Sequence, residues 1–131
     1  MDKKEDVREF EKLEQQVHAF LDEISELSRK KPDGPLNEFK LKFINSTLLA
    51  LNNLLGEHRP FADFGQFDLD DLPTNSDVVV ILSQYAAATY NFRKSNTQRV
   101  SDYSNEWTWL IKGRASDLKT RSPELLKYGA K

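Results

Sequence analysis

Carboxylate pairs are the residues of this sequence whose spacing could most directly support catalysis or metal binding. Acidic residues three positions apart share one face of a helix, and di-iron bundles use such positions on facing helices. Three pairs have this spacing: Glu11/Glu14, Glu23/Glu26 and Asp68/Asp71. The Glu-x-x-His pairs that di-iron bundles need are absent, and the first two pairs lie in a segment rich in acidic residues. We therefore expect no metal site and no cofactor.

The two histidines give no stronger indication of acid–base catalysis. His18 follows Glu14 by four residues, which is typical of a pair that stabilises a helix surface. His58 lies at the end of a predicted helix, where an imidazole interacts with the terminal carbonyls. A Gly-rich phosphate loop, a Gly-x-Ser-x-Gly elbow and a His-Glu-x-x-His zinc motif are all absent. The sequence therefore predicts a protein that is not an enzyme.

The segment 58–73 is the most unusual stretch, because phenylalanines recur every third residue among aspartates. Its aromatic and acidic residues are Phe61, Asp63, Phe64, Phe67, Asp68, Asp70 and Asp71. A connector of this length is either packed down by its own side chains or functional. One interpretation is that the three rings cover one end of a helical bundle. The other is that the segment is an acidic-aromatic docking element for a basic partner.

The C-terminal part offers a competing site, because basic and aromatic residues alternate there. Its basic residues are Arg93, Lys94, Arg99, Lys112 and Arg114. On one helix they could contact a phosphate backbone while aromatic rings stack on bases. The chain as a whole has a net charge of −2, which argues against nucleic acid as the main partner. Trp109 lies beside the apolar stripe, and we expect it to be an exposed anchor for a partner.

Three long segments without Pro or Gly must position these residues, and each predicts a helix. In residues 1–31 the apolar positions follow gaps of three and four residues, which indicates a coiled-coil-like stripe on a helix of about 28 residues. These positions are Phe10, Leu13, Val17, Phe20, Ile24 and Leu27. Residues 36–55 carry a second such stripe, and no charge occurs between Phe43 and Gly56. We expect this second helix to be the central one, surrounded by its neighbours.

The third segment begins at Thr74, whose hydroxyl is placed to cap the amide of Asp77. Its apolar stripe slips near Asn96 and resumes at Val100. Either one continuous helix extends to about residue 120 with a stutter, or the chain breaks at residues 95–97 into two helices. The continuous helix exceeds what its partners can cover, so either the chain turns back or a second molecule covers the apolar surface beyond residue 100, and we expect a homodimer.

These observations together predict a single all-α domain over residues 1–131. It is an antiparallel bundle of three to four long helices with coiled-coil-like stripes, plus a long acidic-aromatic linker between helices 2 and 3. Residues 1–87 carry a net charge of −7 and residues 88–131 a net charge of +5, so we expect the acidic first helix to pack against the basic third one. A short last helix is expected from Ser122, with Pro123 at its first position.

Function can be predicted only at the level of class. The charged N-terminal sequence lacks the apolar region of a signal peptide, and no apolar run approaches the length of a membrane span. The absence of Cys suits a reducing compartment, so we expect a cytoplasmic protein without membrane association. The leading hypothesis is a non-enzymatic protein–protein interaction module, such as an adaptor, an inhibitor or an immunity-type subunit. The alternative is a nucleic-acid-associated subunit that uses a basic, aromatic helix over residues 90–121.

Overall fold

Three helices and a three-stranded antiparallel sheet make up the structure, a computed structural model that describes residues 1–126 and the side chains of residues 1–124. The helices are α1 (Lys4–Lys30), α2 (Glu38–Leu55) and α3 (Asn75–Ser95), and the strands, in the order β1-β2-β3, are β1 (Thr97–Arg99), β2 (Trp107–Ile111) and β3 (Arg114–Thr120). Short 3₁₀ turns occupy Gly56–His58 and Pro123–Leu126. The fold is therefore mixed α/β, and the predicted all-α bundle is wrong.

The first two helices begin and end close to where the sequence indicated. The Asn37 side chain caps α2 by accepting a hydrogen bond from the Lys40 amide at 3.2 Å, and Gly56 ends the helix with a φ of 55°. The turn between α1 and α2 is tied to the start of α3, because Leu36 donates to the Pro73 carbonyl at 2.9 Å. The long segment 56–74 leaves the end of α2, and this bond brings its other end back to the start of α2.

The central helix is α1, which packs against both α2 and α3. Its buried residues include Val7, Phe10, Val17 and Leu21, while Phe20 is only half-buried. The prediction that α2 is surrounded by its neighbours is wrong. The predicted stripe of α2 is buried, but the opposite side of the helix is exposed. A helix face without charged residues can still face solvent, so the absence of charge does not require other elements to pack on every side.

Two side chains explain why α3 ends at Ser95. Asn96 donates from Nδ2 to the Phe92 carbonyl at 2.8 Å, and the Thr97 hydroxyl donates to the Arg93 carbonyl at 2.8 Å. They satisfy carbonyls that a longer helix would have bonded to its own amides. The continuous helix to residue 120 is therefore wrong. The break at residues 95–97 is confirmed, but strands follow it instead of a second helix.

The sheet forms because residues 107–111 combine aromatic and β-branched side chains, which favour strands. Ile111 pairs with Arg114, so Lys112 and Gly113 form a two-residue hairpin turn. Both have positive φ values, 54° and 76°, as a type I′ turn requires. The three- and four-residue spacing from Val100 to Leu110 suggested a helix, but this spacing arises by coincidence in a sequence that contains many apolar residues.

Arg93 attaches the sheet to the helices. Its guanidinium is 2% exposed and forms two hydrogen bonds with the Glu14 carboxylate, from Nε to Oε2 at 3.0 Å and from Nη2 to Oε1 at 2.7 Å. Nη1 donates to the Thr120 hydroxyl on β3, and the guanidinium carbon lies 4.7 Å from the centroid of the Trp109 ring. Trp109 is fully buried and also contacts Phe10 of α1, edge to face. One side chain therefore joins α1, α3, β2 and β3.

The apolar surface that predicted a homodimer is mostly covered by the chain itself. Trp109 is buried, and Trp107, Leu110 and Ile111 are half-buried in the sheet. Only Tyr103, in the connection between β1 and β2, is fully exposed among these residues. The chain turns back at residue 96, so this surface no longer supports the dimer.

The buried side of α2 generates a stability prediction. Leu51→Ala removes a fully buried side chain and should lower the free energy of unfolding by about 2–5 kcal/mol through lost burial and a cavity. Leu49→Ala, two residues away and 43% exposed, should change it by less than about 1 kcal/mol. Urea denaturation measures both values. Similar losses for the two variants would contradict the assigned orientation of α2.

The ion pair generates a second prediction. Glu14→Gln keeps the shape of the side chain but removes the buried carboxylate that forms both short hydrogen bonds with Arg93, so the free energy of unfolding should fall by about 3–5 kcal/mol. The matched control is Glu11→Gln, because Glu11 lies 3.6 Å from Arg93 and is 38% exposed. We expect a much smaller loss for the control in the same denaturation assay. Equal losses would show that Glu14 has no special role.

Candidate interaction surface

The acidic-aromatic loop, residues 58–73, is packed down on α2 and α3 by its phenylalanines. Phe67 is buried, and Phe61 and Phe64 are both half-buried. The Phe64 ring lies 5.1 Å from that of Phe67 and 6.3 Å from that of Tyr85, measured between centroids. Burial raises the pKa of Tyr85. The aromatic residues of this loop therefore act mainly as a cover for the core.

Two asparagines of α2 hold the backbone of the acidic-aromatic loop. The Asn45 amide exchanges two hydrogen bonds with the backbone of Phe67, at 2.8 Å and 3.0 Å. Asn52 donates to the Phe64 carbonyl at 3.3 Å and accepts a hydrogen bond from the Tyr85 hydroxyl at 2.7 Å. These two side chains of α2 thus supply hydrogen bonds that the loop backbone would otherwise form within a strand or a helix.

The four aspartates of the acidic-aromatic loop are all exposed. They are Asp63, Asp68, Asp70 and Asp71. Asp68 accepts a hydrogen bond from the amide of Asp70 at 2.8 Å, which stabilises a local turn. The loop therefore presents negative charge along one side of α2, while its rings face inward.

The basic residues predicted for nucleic-acid binding do not share one surface. Arg93 is buried in its ion pair, and Lys94 lies on α3 with its Nζ 6.0 Å from the Tyr90 ring centroid. Arg99 is on β1 opposite Trp107, whereas Lys112 and Arg114 lie at the far end of the sheet, at the β2–β3 turn. The helix over residues 90–121 that would have aligned them does not exist.

Trp109 is the clearest correction among the predicted site residues. We expected an exposed anchor, but the side chain is 0% exposed and packs beneath Arg93. Helical spacing placed Trp109 beside the apolar stripe. The residue lies in a strand instead, where side chains alternate between two faces, so helical spacing could not indicate whether this ring is buried. Its indole nitrogen has no hydrogen-bond partner among the described residues.

Two of the three carboxylate pairs are engaged in ion pairs with basic side chains. Glu11 and Glu14 both face Arg93, in an arrangement that balances charge inside the protein. His58 lies in the turn after α2, with its ring 6.0 Å from that of Phe92. Within residues 1–126, no group of three or more His, Asp or Glu side chains is placed to hold a metal ion. In the same range, no helix combines the length and the apolar character needed to cross a membrane.

The surface that the sequence did not predict is the outer side of α2. We define the outer stripe as Phe39, Phe43, Ser46, Ala50 and Asn53, which follow gaps of four and three residues and therefore share one helix face. Phe39 is 69% exposed and Phe43 is 54% exposed, and their rings contact each other edge to face with centroids 5.0 Å apart. Two large aromatic side chains thus stand side by side in solvent.

A groove runs between the outer stripe and α1. Its volume is about 310 Å³, and its walls come from α1 (Glu9, Lys12, Leu13, Gln16 and Phe20) and from α2 (Phe43, Ser46, Thr47 and Ala50). The Thr47 hydroxyl donates to Oε1 of Gln16 at 2.8 Å, so the polar groups of these two residues are paired with each other. At one end of the two helices Lys40 bridges to Glu23 at 2.9 Å.

The outer stripe therefore has a different neighbour on each side. Thr47 faces α1 and the groove, whereas Asn45 and Asn52 face the acidic-aromatic loop. The uncharged run from Phe43 to Gly56 was the available signal in the sequence, but we took it as evidence of burial. It marks a helix with one buried and one exposed apolar side.

No protein-family model matches this chain, and comparisons with curated proteins and with solved structures find no match either.

The asparagine contact generates a third prediction. Asn45→Ala leaves the buried backbone of Phe67 without its two hydrogen bonds, which should cost about 1–3 kcal/mol of stability and loosen the acidic-aromatic loop. Amide hydrogen exchange at Phe67 should become faster than in the parent protein. Asn53→Ala, an exposed position on the same helix, is the control and should leave that exchange unchanged. Unaltered exchange in Asn45→Ala would show that the rings alone hold the loop.

Proposed function

We propose that this protein is a non-enzymatic protein–protein interaction module whose binding surface is the outer stripe of α2 with the adjoining groove. The observation that carries the proposal is the paired exposure of Phe39 and Phe43 on the solvent-facing side of a helix whose other side is buried. Single exposed apolar residues are normal on protein surfaces, but adjacent large ones beside a groove are typical of binding surfaces.

The composition of this surface supports a protein partner. Aromatic residues are enriched in the centres of protein interfaces and charged residues are depleted there. The outer stripe follows this pattern, since its five members carry no charge. Lys42 and the aspartates of the acidic-aromatic loop stand at its border, where charges mainly influence the rate of encounter and the choice of partner.

The chemistry of the module is binding alone, without a cofactor. An adaptor, an inhibitor and an immunity-type subunit would all use such a surface in the same way. The cytoplasm is part of this proposal, because a chain without Cys suits a reducing compartment.

A photo-crosslinking experiment tests the proposal in the cells that produce the protein. Phe43 is replaced by benzoylphenylalanine, which reacts with whatever lies against it on illumination. We expect one discrete crosslinked product, because the residues around a side chain at the centre of a specific interface belong to one partner protein. Adding Ala50→Glu, which places a charge in the same surface, should abolish the product.

The control carries benzoylphenylalanine at Tyr103, a more exposed aromatic position than Phe43, which lies on the connection between β1 and β2. Crosslinking there should not give the same product. The proposal is wrong if position 43 gives no product, or if positions 43 and 103 give the same ones.

A further inference from the structure

We infer that the outer stripe binds a second copy of this chain, with two α2 helices packed antiparallel about a two-fold axis at Ser46. This inference rests on the proposed function, because it names the occupant of the same surface. Its basis is independent of the C-terminal apolar residues, which the sheet covers. It depends instead on the order of large and small side chains along the outer stripe.

The outer stripe is complementary to itself in one orientation only. Its first half carries the large residues Phe39 and Phe43, and its second half the smaller Ala50 and Asn53, at nearly equal distances from Ser46. An antiparallel pair centred on Ser46 places each large side chain against a small one of the other copy. A parallel pair would place ring against ring and leave the small residues facing each other. Two-fold symmetry with the same patch on both subunits is the commonest form of homodimer.

The groove supplies the space that this arrangement needs. Ala50 lies in its wall, and the pairing sets Phe43 of the second copy directly against Ala50. The volume of about 310 Å³ exceeds that of a phenyl ring, and Leu13 and Phe20 are the apolar residues that α1 contributes to its walls. Both copies would insert Phe43 in this way, so one interface contains two equivalent anchors.

Charge permits close contact between the central parts of the two α2 helices. No charged residue occurs between Phe43 and Gly56, so that part of each helix buries no ion. The charged residues that line the groove, Glu9 and Lys12, are exposed. Lys42 lies at the edge of the outer stripe, from which a lysine can extend its ammonium to solvent. The acidic-aromatic loops of both copies would lie on the same side of the dimer. Their repulsion predicts that salt strengthens the association, whereas binding to a basic partner would weaken with salt.

The first test is the mass of the intact protein in solution. Light scattering from about 10 µM to about 1 mM should show a concentration-dependent rise from the chain mass of 15.2 kDa to twice that value, since a small interface of this kind dissociates in that range. Adding salt should shift the midpoint to lower concentration. Phe43→Asp should remain monomeric throughout and keep the circular dichroism spectrum of the parent, because Phe43 lies outside the core.

The second test uses the absence of natural cysteines. Helix axes about 8–10 Å apart leave about 3.4–5.4 Å between facing Cα atoms, which overlaps the range of a disulfide. Ser46→Cys should therefore form a disulfide-linked dimer under mild oxidation. Ser95→Cys, the same substitution at an exposed position of α3, is the control and should react at least tenfold more slowly.

The outcomes separate this inference from the proposed function. A dimer that Phe43→Asp abolishes and Ser46→Cys traps supports the inference. A monomer at every concentration, or equal oxidation of the two cysteine variants, overturns it. If position 43 then still gives a discrete crosslink to another protein, the proposed function stands without the dimer. If position 43 gives no crosslink, both are wrong.

Discussion

The buried ion pair between Arg93 and Glu14 is the interaction on which the arrangement of the molecule depends. A guanidinium removed from water is tolerated only when its donors and its charge are satisfied, and here Glu14, Thr120 and the Trp109 ring together meet that requirement. Each partner comes from a different element, so satisfying one side chain positions the sheet against α1 and α3. Arg93 of the basic C-terminal part is thereby used inside the protein. Lys94, Arg99, Lys112 and Arg114 are exposed, but they lie on different elements and not on the one helix that the nucleic-acid hypothesis required.

The position of the sheet determines which helix is central. Because Arg93 and Trp109 occupy one side of α1, α2 packs on another side and has no further layer outside it. The acidic-aromatic loop covers one flank of α2 through Asn45 and Asn52, and α1 covers the other through Gln16 and Thr47. What remains is the outer stripe. The outer stripe is therefore exposed because α1 and the acidic-aromatic loop cover the two flanks of α2 and no further element in the described part of the chain packs between them.

The binding surface and the stabilising core use different residues of the same helix. Leu48 and Leu51 are fully buried, whereas Phe39 and Phe43 contribute little to the core because most of each ring faces solvent. Changes to the outer stripe should therefore affect association without unfolding the protein. The sheet edge is protected in another way, since β3 carries Arg114, Asp117 and Lys119 as exposed charges, which discourage pairing with a further strand. Lys4 pairs with Asp117 at 3.0 Å and lowers the pKa of that carboxyl.

Local signals in the sequence determined α1, α2 and the start of α3. Apolar spacing gave the helices, Gly56 ended α2, and the Thr74 hydroxyl accepts the predicted hydrogen bond from the Asp77 amide at 3.2 Å. Such signals act within a few residues, so one sequence contains them completely. The end of α3, the burial of Trp109 and the exposure of Phe43 depended on contacts between distant segments. Apolar periodicity shows that a face avoids water, but only the tertiary structure decides what covers that face, or whether it remains open to a partner.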